Sequence, residues 1–91
     1  MAQINKGDMM EKMTGCEFVM YMDYDVLKIK ACGISYSVCT EIATKEELHF
    51  LETGEKGNIE EDNSGYDPGL GSWIIIRDEE RKEKIMKELM P

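Results

Sequence analysis

The sequence predicts an α+β domain: a mostly antiparallel sheet of about four strands with two or three helices packed on one face. Three observations lead there. Residues 26–31 and 34–39 alternate apolar and polar side chains, the period of a half-buried strand. Residues 73–76 (Trp73, Ile74, Ile75, Ile76) form a short apolar run suited to a strand buried on both faces and central in the sheet. Residues 44–54 carry helix start and stop signals, and residues 78–90 a start signal, each with an apolar stripe.

At 91 residues the chain predicts one domain, residues 1–91. Its apolar fraction of 42% supplies a core, against 33% charged residues. Residues 1–7 are polar and predict a frayed end. Asp8 predicts a cap for a short helix over residues 9–13, stopped by Gly15. Residues 16–22 read as a strand, and Asp23, Tyr24 and Asp25 as a three-residue turn. Leu27, Ile29 and Ala31 then share one face, with Lys28 and Lys30 on the other. Cys32 and Gly33 predict a tight turn into the next strand. One long strand over residues 26–40 with a bulge at Gly33 is the alternative, and the hairpin is favoured.

Thr44 and Glu47 form a capping-box pair, and Gly54 is the stop for that helix. Its apolar side is narrow, Leu48 and Leu51 with Phe50 off to one side. Residues 48–50 could instead alternate as a strand. Residues 54–72 predict a long acidic, glycine-rich loop. Asp78 predicts the cap of the last helix, with Ile85, Met86, Leu89 and Met90 as its buried stripe. Glu80 with Lys84 and Glu83 with Lys87 stand at i,i+4 spacing.

The net charge of −8 is concentrated. Residues 41–67 hold nine acids against Lys45 and Lys56, whereas the segments on either side are nearly balanced. Such a field repels nucleic acid and attracts basic surfaces or cations. The functional expectation is therefore a small non-catalytic interaction or regulatory protein that binds a basic partner surface. In its sharpest form it is an inhibitor whose carboxylates mimic nucleic-acid phosphates. The candidate partner-binding residues are Glu46, Glu47, Glu52, Glu55, Glu60, Glu61, Asp62, Tyr66, Asp67 and Trp73. Tyr66 and Trp73 enter as aromatics beside carboxylates, a pattern of interface hot spots; core packing of Trp73 is the competing reading.

The alternative is a Ca²⁺- or Mg²⁺-binding loop over residues 60–67, with Glu60, Asp62, Ser64 and Asp67 as ligands. The calcium-loop pattern begins with Glu60, Asp62 and Ser64, and Gly65 falls at the turn. It then fails, because Gly71 stands at the twelfth place, where a bidentate Glu belongs. Cys16, Cys32, Cys39 and His49 are zinc-binding types, but no close Cys pair exists. Cys–His catalysis is disfavoured, since surrounding negative charge opposes thiolate formation. The glycines of residues 65–71 precede a strand and lack a lysine, the wrong order for a phosphate loop. Clustered Lys and Arg for direct nucleic-acid contact are missing. No cofactor is expected.

No apolar run approaches membrane-spanning length, and the start of the chain lacks the pattern of a secretory signal. Three cysteines without such a signal predict reduced thiols and a cytoplasmic protein, with one pair plus a leftover thiol as the less favoured alternative. Eight methionines, including Met20, Met22 and Met86, predict packing in the seam between helices and sheet.

Overall fold

Five strands and two helices build the domain in a computed structural model that describes residues 15–89. The strands are β1 (Phe18–Asp23), β2 (Val26–Ala31), β3 (Ile34–Ser37), β4 (Ser64–Asp67) and β5 (Gly71–Ile76). The helices are α1 (Lys45–Thr53) and α2 (Glu79–Leu89). The sheet runs β3-β2-β1-β5-β4 with every neighbouring pair antiparallel. The expected helix over residues 9–13, the frayed end and Met90 lie outside the described residues.

Register sorts the side chains. Met20 lies opposite both Ile29 and Ile74, and Phe18 opposite both Ala31 and Ile76. These residues are buried, together with Leu27. α1 packs over β5 and β1 on this face and adds Phe50 and Leu51. α2 reaches the same core through Ile85 and Met86, with Leu89 packed at its edge. Burial of one such apolar side chain contributes about 1.5–3 kcal/mol. The opposite face carries Val19, Tyr21, Trp73 and Ile75 beside Lys28 and Lys30, and no described element covers it. β5 is therefore buried on one face and half-buried on the other. The fully two-sided burial expected of residues 73–76 does not hold.

Two hairpin turns depart from or refine the expectation. The first has two residues, Tyr24 and Asp25, because Asp23 still pairs with Val26. Tyr24 sits at φ 58° and is 98% exposed, an αL residue where Asn or Gly is at lower cost. The second turn is Cys32-Gly33 as expected, with φ of 52° and 79°. Two positive φ values match the right-handed strand twist, so the chain reverses there and the bulged long strand is ruled out.

α1 starts as the capping box requires. The Thr44 hydroxyl accepts from the Glu47 amide at 3.1 Å, and the Glu47 carboxylate accepts from the Thr44 amide at 2.9 Å. Gly54 stops it at φ 80°, its N–H donating to Phe50 C=O. The strand reading of residues 48–50 is excluded. Phe50, not Leu48, is the deepest apolar residue of α1. Asp78 caps α2 through hydrogen bonds accepted from the amides of Glu80 and Arg81. The Glu80–Lys84 and Glu83–Lys87 pairs are not closed; Arg81 instead links α2 to α1.

The long loop is not one loop. Residues 61–63 make a 3-10 turn and residues 64–67 are β4, an edge strand paired with β5. Ser64 lies opposite Ile74, which carries the chain from the acidic turn directly into the sheet. Trp73 crosses Gly65 on the next strand, where a Cβ would run into the indole ring.

Cys16 and Cys32 are joined by a disulfide, and Cys39 is free and exposed. The expectation of three reduced thiols is corrected. Cys16 leads into β1 while Cys32 sits in the β2–β3 turn, and pairing of β1 with β2 brings them together. The cytoplasmic placement drawn from reduced thiols loses that argument, since such bonds persist mainly in oxidising compartments.

Three measurements check the disulfide and the Gly65–Trp73 contact. Reduction of the disulfide, which spans a sequence separation of 16, lowers the unfolding free energy in urea by about 3 kcal/mol. Thiol titration of the unreduced protein finds one reactive cysteine; three would contradict the pairing. Gly65→Ala costs about 1–3 kcal/mol through displacement of Trp73, read as a lower denaturation midpoint.

Candidate functional site

The acidic stretch folds as α1, the loop over residues 54–60, the 3-10 turn and β4. The loop is pinned. Ile59 packs against the core, and its amide donates to Lys56 C=O at 2.8 Å. Asn58 Nδ2 lies 3.5 Å from Glu46 Oε1, which holds the loop beside the first turn of α1. Lys56 Nζ is 3.9 Å from Glu61, and His49 Nε2 is 2.9 Å from Glu55 Oε2. These contacts place the loop's acids next to those of the helix.

Six of the candidate carboxylates are exposed across these consecutive segments: Glu46, Glu52, Glu55, Glu60, Glu61 and Asp62. Glu46, His49 and Glu52 share the solvent face of α1, since Glu47, Phe50 and Leu51 take the buried one. Asp67 is also exposed, but its Oδ1 accepts from the amides of Gly69 and Leu70 at 2.7 and 3.2 Å. Its first role is to close the β4–β5 turn. Tyr66 stands on β4, 73% exposed. Trp73 is half-buried on the uncovered sheet face, neither a core anchor nor part of the α1 surface.

Glu47 must be removed from the partner-binding set. It is 7% exposed and bound on both oxygens. Arg81 Nη1 donates to Oε2 at 2.6 Å and Nη2 to Oε1 at 2.7 Å, a bidentate pair, while Nη2 also reaches Ile42 C=O at 3.1 Å. Burial pushes the Glu47 carboxyl up, but hydrogen bonds from Arg81 and the Thr44 amide, with the guanidinium charge, outweigh it and hold the group below its ordinary value. The hydrogen bond to Glu47 raises Arg81 against the opposing effect of burial.

The cation-site expectation fails on geometry. A strand advances about 3.3 Å per residue, so Ser64 and Asp67 stand far apart and on opposite faces of β4. Ser64 is buried, and its hydroxyl donates to Glu60 C=O at 2.7 Å. The Glu60 carboxylate accepts from Asn63. Among the described residues no group of three or more His, Cys, Asp or Glu side chains is placed to hold a metal ion. The zinc set dissolves as well, with Cys16 and Cys32 joined to each other and His49 bonded to Glu55.

A concavity of about 260 Å³ lies between Glu47, Ile59, Asn63, Ile76 and Arg81. Its polar groups are spoken for: Glu47 by Arg81, and Asn63 Oδ1 by Arg77 Nε. No helix of the described residues is long and apolar enough to cross a membrane. The chain matches no protein-family model, no curated protein and no solved structure.

Replacement of Arg81 by Met strands a buried carboxylate and costs about 3 kcal/mol, the low end for a broken buried pair because the guanidinium is partly exposed. The sign with pH is fixed by the depressed folded pKa of Glu47. Its contribution is complete above the unfolded value, 4.5, and is lost as pH falls through the lower folded value. In Arg81→Met burial raises the stranded carboxyl instead, so the stability gap between the native protein and the variant, measured by urea titration, narrows on acidification, first as the variant's Glu47 protonates and then as the native one does. A gap independent of pH would contradict the assignment.

Proposed function

We propose that this chain is a non-catalytic interaction protein that presents the carboxylates of α1 and the following turn to a basic protein surface. The observation that supports the reading most is the excess of exposed acid over base in these segments. Six exposed acids occupy these consecutive segments, and Lys45 and Lys56 are the basic residues within them. Arg81 is held by Glu47, whereas Arg77 at Asn63 and Lys56 near Glu61 reduce the excess of acid without cancelling it. A surface of one sign on a rigid support accelerates encounter with an oppositely charged partner and fixes its orientation. Such a row of carboxylates is suited to occupying a site that ordinarily takes nucleic-acid phosphates, and that inhibitory form is the sharpest version of the proposal.

The test is affinity capture from source-cell lysate on the immobilised chain at low and high salt. A basic protein retained at low salt elutes as salt rises, since exposed charges are screened within about 10 Å at 0.1 M. Glu60→Lys with Glu61→Lys abolishes retention, whereas Glu79→Lys with Glu80→Lys on α2 leaves it intact. Equal loss from both pairs would show that general acidity, not this surface, is responsible.

A further inference from the structure

We infer that a second copy of this chain pairs with the free edge of β3, joining two sheets across a two-fold axis at Tyr36. The sheet has two edges, and they differ. β4 carries Gly65 and Asp67 and is followed by Pro68, features that discourage added strands. β3 has none. Residues 34–38 read Ile, Ser, Tyr, Ser, Val, with no charge, proline or glycine. Among the described residues no element covers this edge, and α1 with the acidic turn lies towards β5, away from it.

The hydrogen-bonding phase is set by the hairpin. The two-residue turn makes Ala31 and Ile34 a bonded pair, and the Val38 amide donates to Leu27 C=O at 3.0 Å, so bonds to β2 fall on residues 34, 36 and 38. The N–H and C=O groups of Ser35 and Ser37 therefore point away from the sheet.

An isologous antiparallel pair requires a strand that reads alike in both directions. Residues 34–38 do so in chemical terms. With the axis at Tyr36, Ser35 faces Ser37 of the partner subunit, and the two serine pairs exchange four backbone hydrogen bonds. Tyr36 faces Tyr36 of the partner subunit at a non-bonded position, where side chains approach most closely and aromatic pairs stabilise. Ile34, 54% exposed in the single chain, faces Val38 of the partner subunit. An extended peptide of another protein would need pockets for its alternate side chains to be chosen at all, and Ser35 and Ser37 offer none. Symmetry thus favours the same chain as occupant. The contact is short, so the dimer forms in the micromolar to millimolar range.

Each copy carries a net charge of −8, so this association strengthens as salt rises, opposite in sign to capture of a basic partner. Sedimentation velocity of the full chain across that concentration range at low and high salt is expected to show a monomer–dimer equilibrium that salt favours. Ile34→Lys, at an exposed position, weakens it at least tenfold while the melting curve is kept. In a Cys39→Ser background, Tyr36→Cys yields a covalent dimer on oxidation, because non-bonded antiparallel pairs hold their Cα atoms about 4.5 Å apart, within disulfide reach. Tyr66→Cys on the other edge does not. A chain that stays monomeric at millimolar concentration, a dimer indifferent to Ile34→Lys, or equal cross-linking at position 66 would overturn the proposal.

Discussion

The bidentate contact between Glu47 and Arg81 is the constraint that the arrangement of this small domain depends on. Glu47 completes the capping box of α1, so the same carboxylate that starts one helix receives the guanidinium of the other. Arg81 also holds Ile42 C=O, which draws the turn before α1 into the same junction. With both helices set by one pair, Phe50 and Leu51 from α1 and Ile85 and Met86 from α2 converge on Met20, Ile29, Ile74 and Ile76. A domain of this size has a thin margin of stability, and a partly buried ion pair with both carboxylate oxygens bonded limits the ways its helices can dock.

That junction also divides the charge. It removes Glu47 from the surface and removes Arg81 as a counter-charge for the remaining acids. Ile59 and the Asn58–Glu46 contact then fold the loop back beside α1. Local electrostatics and core packing thus act in one direction: the buried pair is withdrawn into the fold, and the remaining carboxylates are left outward on a supported surface. The β3 edge, uncharged and away from that surface, is a separate feature of the same sheet.

Much of this was legible where local rules decide. The alternation over residues 26–31, the Cys32-Gly33 turn, the Thr44–Glu47 box, the Gly54 stop and the Asp78 cap all act within a few residues and are found as read, while the strand expected over residues 34–39 ends at Ser37. What failed depends on partners distant in sequence. Residues 64–67 contain Gly, Tyr and Asp, a poor strand by propensity, yet pairing with β5 makes them one. The capping box marks Glu47 in sequence, but its burial against Arg81, 34 positions away, is not legible there. The Cys16–Cys32 bond follows from strand register, which spacing alone does not reveal. The calcium-like spacing of residues 60–65 counted positions but not backbone path: the 3-10 turn turns Ser64 inward, and the extended path of β4 carries Asp67 away from it. Burial of Phe50 over Leu48 reflects how α1 is rolled by Glu47 and Arg81 more than its apolar pattern.

The central claim is that the acids of α1 and residues 54–63 act as one surface, and amide chemical-shift mapping with an oligolysine peptide tests it most directly. The account predicts shifts concentrated at Glu46, Glu52, Glu55, Glu60, Glu61 and Asp62, small at Glu79, Glu80 and Glu88, and erased by high salt. Shifts of equal size on α2, or none at the α1 surface, would contradict it.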